Sequence, residues 1–472
     1  MMASVQGGMS ELHGGEPGGY CVPVLSSRLA LFYGWFIVVA TFLIALVTVG
    51  ARRAFGVFVI PMSGEFGWNR STISLVAASG FLMNGMSQPL LGQLFDTFGG
   101  RKGILVSLAI FGGTTLLLAL TCSTVFFIVL FGLLMSIASS GTSLTITGAL
   151  LSRWFHHRRT SVLSLSTAGA SAGGLLLVPL AMYVLQHTHW RLTWVALGAI
   201  ILVVAWALAY VFLRNDPTDL RLLPDGEVRP ADGRATHPGH AVPGPLETGT
   251  WHIALRSLPF WQVTGSYFVC GFTTAILTTH FIPFAIDRGL TPSTAATALG
   301  VMNGLNVVGV LAVGALADRC GQKDLLALVY AVRGRAYALF LLASGAWSLW
   351  GVAAVTGFSY WATAPLTTAL TADMYGLKTL GTLSGATFLV HQVGAAASIQ
   401  FAGLMRDLTG SYTLPFTLAG LLLIPAALSA FSIREHKYSA KVPGGPASII
   451  TVDTTTTPSP QSPMIAHLKP KP

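Results

Sequence analysis

Long apolar runs separated by short polar loops organise this chain. Twelve runs of mostly apolar residues stand near 30–60, 72–94, 103–121, 124–150, 161–185, 191–213, 259–284, 293–316, 325–344, 347–371, 380–404 and 412–433. A helix of about 18 or more such residues reaches across the hydrocarbon of a bilayer, so each run predicts one transmembrane helix. The first run is too long for the apolar part of a signal peptide and reads as the first span. Between spans 6 and 7 the polar stretch from Arg214 to Arg256 carries Asn215-Asp216-Pro217 and Pro224-Asp225-Gly226. It reads as a linker with turns rather than a domain. The expected organisation is a tail over 1–29, a six-helix half over 30–213, a linker over 214–258, a second six-helix half over 259–433 and a tail over 434–472. Both tails are polar or Gly-rich and are expected to be disordered.

A short motif occurs twice. Gly92, Leu94, Asp96, Gly99 and Arg101 recur as Gly314, Leu316, Asp318, Gly321 and Lys323, each displaced by 222 residues (314 − 92 = 222). The same offset pairs Ile60-Pro61 with Ile282-Pro283 and Ser71-Thr72 with Ser293-Thr294. Two copies in register with their flanks indicate a duplicated membrane protein. Gly92 and Gly314 permit close helix approach, and Gly99 and Gly321 permit the tight turn. Arg101 and Lys323 stand in the loops, where local pairing with Asp96 and Asp318 is expected.

This pattern resembles the loop signature of the major facilitator superfamily. The resemblance implies an all-α membrane protein of twelve transmembrane helices in two six-helix halves, with substrate near the bilayer midplane between the halves. It also implies that each motif aspartate meets the N-terminus of a helix in the other half. Asp96 is then expected at the start of span 11, near Thr379 to Thr382, and Asp318 at the start of span 5, near Thr160-Ser161. A carboxylate there is stabilised by about 0.3–2 kcal/mol, a suitable size for a latch that opens in every cycle. Asp96, Arg101, Asp318 and Lys323 are therefore the candidate gating residues. The alternative is a role in folding or topology only.

Composition supports the membrane reading. Hydrophobic residues make up 53% of the chain and charged residues 9%, against about 25% charged in a soluble domain. The net charge of +10 raises the question of nucleic acid, but the basic residues form no single patch. Most stand in the loops after spans 2, 4, 6, 8 and 10, among them Arg101, Lys102, Arg158, Arg159, Lys323 and Lys378. The opposite loops hold only Arg70, Arg191, Arg288 and Arg406. By the positive-inside rule the richer set and both termini are cytoplasmic. The four cysteines show no metal-ligand spacing, and Cys122 and Cys270 read as packing residues. No metal or cofactor is expected.

None of the seventeen acidic residues falls in the middle of a predicted span. Arginines do enter apolar sequence: Arg52-Arg53 in span 1, Arg333 and Arg335 in span 9. A charge in a span usually faces the bundle interior or a wet cavity, and with no acid at that depth an anionic substrate is a natural partner. Arg52 and Arg53 point about 100° apart on a helix, so at most one faces a central cavity squarely. Snorkelling to the outer surface is the other reading of Arg53. Arg333 stands on span 9, which the resemblance implies is peripheral, and there a backbone carbonyl is its simplest partner. His280 and His391 are the titratable groups of spans 7 and 11, although hydrogen-bonded packing accounts for a lone histidine equally. Gln392, Asn306, Asn84, Tyr360 and Trp361 are further cavity-lining candidates. Gly169-x-x-x-Gly173 and Gly300-x-x-x-Gly304 read as helix-packing signals.

Local strings narrow the resemblance. They are Tyr33-Gly34-Trp35, Phe55-Gly-Val-Phe58, Phe66-Gly-Trp68, Arg153-Trp-Phe155 with Arg158-Arg159, Asp216-Pro217, Leu223-Pro-Asp-Gly226, and Asp407 with Thr409-Gly-Ser-Tyr412. In this order along residues 30–434 they are similar to the bacterial branch of the superfamily that resembles monocarboxylate transporters and oxalate/formate antiporters. That branch implies the bacterial inner membrane. A lysine of the monocarboxylate transporters matches Arg53. An Asp and an Arg of their span 8 fall at Asn306 and Val310, so that ion pair is absent here.

The resulting expectation is a secondary transporter for a small organic anion, with a carboxylate as the expected class, working by alternating access with proton symport or anion exchange. Its candidate substrate residues are Arg53, His280, His391, Gln392, Asn306, Tyr360 and Arg333. The expected surroundings are the lipid bilayer, with no nucleic acid and a monomeric state. An exporter of drugs or other lipophilic compounds is the alternative. An enzyme is not expected, since no metal cluster, nucleophile elbow or phosphate loop is present.

Overall fold

The computed structural model describes residues 32–433, apart from 69, 227–245, 247–249 and 344. Both expected tails, and Cys21 with them, lie outside the described residues. The first half comprises α1 (Gly34–Arg53, carried on by Phe55–Phe66), α2 (Arg70–Phe98), α3 (Gly100–Leu117), α4 (Thr124–Trp154), α5 (Arg159–His187) and α6 (Trp190–Phe212). The second comprises α7 (Leu258–Asp287), α8 (Pro292–Cys320), α9 (Gln322–Leu342), α10 (Ala346–Ser359 and Thr363–Tyr375), α11 (Leu380–Thr409) and α12 (Thr413–Phe431).

Ten of these helices are apolar and long enough to cross a membrane unaided. The other two are α2 and α10. Helix α2 turns Asn84, Ser87 and Gln88 inward as buried polar residues, and α10 is broken into two short pieces. A polar inner face and a helix break are both tolerated at membrane depth where neighbouring helices supply hydrogen-bond partners.

Apolar packing builds a core in each half. Phe58 stacks on Trp194 at 3.8 Å in the first, and Phe284 on Phe416 at 4.1 Å in the second. The halves meet where α2 packs on α11 and α5 packs on α8. The motif glycines stand at these crossings. A Cβ on Gly92 would strike the Gly381 carbonyl of α11, and one on Gly314 would strike Ser164 of α5. Gly99 (φ 87°) and Gly321 (φ 89°) make the left-handed turns into α3 and α9.

Of the two predicted glycine packing signals, one is observed. Gly169 and Gly173 rest on the Phe42 and Leu46 carbonyls of α1. A Cβ added at Gly300 or Gly304 would meet nothing from another helix within 4 Å, which corrects the second. In α8 the close crossing falls instead at Gly309, against Phe358 of α10. The repeated-loop end of α8 thus touches the other half, while its opposite end faces open space at these positions.

Candidate functional site

The two motif carboxylates join the halves. Asp96 Oδ1 accepts from Gly381 N (3.0 Å), and Oδ2 accepts from Thr382 N (2.8 Å) and Thr382 Oγ1 (2.7 Å). Asp318 accepts from Thr160 N (2.8 Å) and Ser161 N (2.9 Å). Thr160 and Thr382 stand at the same 222-residue offset as the aspartates (382 − 160 = 222). Each acid satisfies amides that a helix N-terminus leaves without intrahelical partners. Both contacts fall where the resemblance implied.

Arg101 and Lys323 do not pair with these acids, which corrects the expected local pairing. Arg101 binds the Asn215 side chain and the Tyr210 carbonyl, each at 2.8 Å. Lys323 lies over the Phe431 ring and beside Asp324. Each base therefore ties its loop to the last helix of its own half.

A third link at this end is the ion pair of buried Arg159 on α5 with Asp373 on α10. His156 lies near it in the α4–α5 loop. Burial first, then the neighbouring charges of Arg159 and His157, hold its imidazole below the ordinary range. At the opposite end, the arginine–carboxylate pairs among the described residues stay within one half: Glu65–Arg191 and Asp287–Arg406, both at 2.7 Å, with His189 3.8 Å from Glu65 in the same half.

Two interrupted helices mark the middle of the molecule. Helix α4 is interrupted at Thr142–Ser143. Adding 222 gives 364–365, within a few residues of the α10 break at Tyr360–Ala362. Interruptions at matching places in two repeats are a sequence-level pointer to a transporter's binding site. At the α10 break the backbone is satisfied by side chains. Trp361 N donates to Asn306 Oδ1 (3.0 Å), and Asn306 Nδ2 donates to Ser171 Oγ of α5 (2.8 Å). Tyr360 OH shares a 2.5 Å hydrogen bond with Thr278 Oγ1.

Fully buried Arg333 donates to the carbonyls of Ser359 and Tyr360 at the break through Nη2, and to Cys270 Sγ and Thr273 Oγ1 of α7, each at 3.4 Å, through Nη1. Arg333→Ala is expected to strand both carbonyls, at about 1.5–3 kcal/mol for each charge-assisted hydrogen bond. A fall in the thermal unfolding midpoint of purified protein would register the loss, with Arg333→Lys recovering part of it.

Polar side chains continue across the interface between halves. Arg52 Nη1 donates to Ser139 Oγ (2.9 Å), and Asn84 Nδ2 donates to Ser139 Oγ (3.0 Å) and Ser140 Oγ (2.7 Å). Gln392 Nε2 of α11 donates to Asn84 Oδ1 (3.3 Å). His391 Nδ1 lies 3.3 Å from Gln392 Oε1. Arg52 is therefore committed to its own half, which sequence alone did not reveal. Arg53 takes the other direction. Its side chain is exposed, lies against Gly174 of α5 and is within electrostatic range of Tyr360 in the opposite half.

The sequence candidates thus separate. Asn306, Tyr360, His391 and Gln392 gather around the two crossings and the α10 break, with Arg53 within electrostatic range of Tyr360 among them. His280 does not join them. Its Nε2 is 3.2 Å from the Ile399 carbonyl, ten residues and about 15 Å along α7 from Cys270. Cys270, read from sequence as packing, proves to be in the polar cluster, 2.9 Å from Thr363 Oγ1 and 3.4 Å from Arg333 Nη1. Its apolar neighbours in sequence carried no sign of this.

Comparison with known proteins fits this arrangement. The family model described as Major Facilitator Superfamily matches residues 22–399. The uncharacterized MFS-type transporter YcxA of Bacillus subtilis is 26% identical over 80% of this chain and 90% of its own length. Monocarboxylate transporter 13 of Bos taurus is 27% identical over 83% of this chain and 87% of its own. Among solved structures, the proton:xylose symporter XylE shares the fold with a TM-score of 0.66 and 14% identity, over 84% of this chain and 94% of that one.

Proposed function

The chain belongs to the Major Facilitator Superfamily, an integral multi-pass secondary transporter for a small molecule, and from that premise we propose that its substrate is a small organic anion carrying a carboxylate. Arg53 carries this reading. It is an exposed guanidinium at the interface of the halves, opposite Tyr360, in a protein whose predicted spans hold no acid at mid-depth. A carboxylate supplies the missing countercharge in bidentate geometry. The similarity to a protein named a monocarboxylate transporter supports the same class. Asn306 and Gln392, each bridging the halves, would then rearrange as the substrate crosses.

The repeated-loop end is the cytoplasmic end in this reading. The carboxylate-to-helix contacts hold it shut, and access is from the other side, where Gly300 and Gly304 face open space.

Uptake into proteoliposomes tests the proposal with a panel of carboxylates, with and without a pH gradient, beside a cationic dye. Carboxylate entry that a second carboxylate competes away is the expected result. Counterflow without a pH gradient would identify exchange, and acceleration by a gradient would identify proton coupling. Movement of the dye alone would replace the anion reading with a drug exporter.

A further inference from the structure

We propose that Cys270 is the proton-carrying group of the second half, a thiol–thiolate held between Arg333 and His391 that changes protonation during the transport cycle. The inference rests on the transport reading above only for its last experimental arm.

The first observation is a buried cation without an acid. Arg333 is fully buried. It donates to two carbonyls and, at 3.4 Å, to Cys270 Sγ and Thr273 Oγ1, and its Nε has no hydrogen-bond partner. Carbonyl dipoles offset only part of the cost of burying a guanidinium, and a nearby anion lowers it further. The titratable groups around the thiol are Arg333 and Tyr330 of α9, Tyr337 beyond them, Tyr267 of α7, Tyr360 at the α10 break and His391 of α11. No carboxylate is among them. Of the neutral acids in this set, a thiol ordinarily ionises before a phenol, near 8.5 against about 10. Tyr337 OH is also committed to the Thr273 carbonyl (2.5 Å), and Tyr360 OH to Thr278 and the Thr274 carbonyl. Thr363 Oγ1, 2.9 Å from the sulfur, can donate to a thiolate.

The second observation is independent and points to a base. Gln392 donates through Nε2 to Asn84, so its Oε1 faces His391 and can only accept. The hydrogen of neutral His391 is therefore on Nδ1, and Nε2 carries the lone pair. That nitrogen is buried and has no partner of good geometry, while the ring lies beside the Cys270 thiol. The proton step is then a transfer from sulfur to nitrogen: the S–H bond breaks and an N–H bond forms on Nε2, and the imidazolium gives up that proton to water admitted when the α2–α11 crossing opens in the cycle, since the nitrogen is buried in this state. Reprotonation is the reverse. Because Arg333 also pins Ser359 and Tyr360, a change of charge on Cys270 alters the hold on the α10 break that faces Arg53.

Full-length protein in lipid nanodiscs gives the first test. An ultraviolet thiolate band is expected near neutral pH. It should be quenched by acid, removed by Cys270→Ser and left in place by Cys122→Ser. Absence of a band attributable to Cys270 across the neutral range overturns the proposal, whatever the substrate. In proteoliposomes, Cys270→Ser is expected to lose acceleration by a pH gradient while keeping carboxylate counterflow, and His391→Gln to slow the gradient-driven mode about tenfold. Wild-type acceleration in a stable Cys270→Ser protein equally overturns it. Failure of every carboxylate to move, with the thiolate band present, would reject the substrate class and leave the proton site standing.

Discussion

Replacing Arg53 with glutamine is expected to lower carboxylate uptake at limiting substrate by about 100-fold. A desolvated charge pair that loses one partner costs about 2–5 kcal/mol, and each 1.4 kcal/mol is a factor of ten. Glutamine keeps the length and polarity and removes only the charge and the fork. Arg53→Lys keeps the charge, so a partial recovery is expected. Arg52→Gln provides the contrast. Arg52 is bound to Ser139 and lies over the Phe81 ring inside its own half, so its loss should reduce stability more than affinity. The readouts are KM for uptake and thermal midpoint, measured on all three proteins. An unchanged KM in folded Arg53→Gln protein would remove Arg53 from the binding site.

The second large effect concerns the latch. Asp96→Asn removes the charge from a carboxylate that accepts three hydrogen bonds from the start of α11. Hydrogen bonds to a charged group contribute about 1.5–3 kcal/mol each, and water replaces part of that when the contact opens. A net weakening of about 1.4–3 kcal/mol moves the access equilibrium roughly 10- to 100-fold toward opening at this end. The folded protein should insert normally and transport slowly, since one access state is no longer held. Spin-label distances between the starts of α5 and α11 would show a longer population, enlarged in the Asp96→Asn/Asp318→Asn double variant. Normal transport rates with unchanged distances would reduce these residues to a folding role.

The readable part of the chain was the part written as repetition and periodicity. Apolar runs predicted the helices, and the 222-residue offset predicted that Asp96 and Asp318 serve equivalent helix starts. Gly99 and Gly321 were legible because a short loop between two spans demands a left-handed turn. The errors share a cause as well. Arg101 and Lys323 stand close to their acids in sequence, but the acids are taken by amides of the opposite half and the bases by the last helix of their own. Gly300 and Gly304 have the spacing of a packing pair, yet which face of α8 meets a neighbour depends on how far apart the halves stand.

By itself the sequence determined a duplicated, lipid-embedded helical transporter, because hydropathy and repeats are properties of chain order. Only the tertiary structure decided that Arg52 and Arg53 part company, that Arg333 serves a broken helix, and that Cys270 lies between a guanidinium and an imidazole. Those relations join residues on different helices, and the depth and rotation at which two helices cross is set by packing that no single helix encodes.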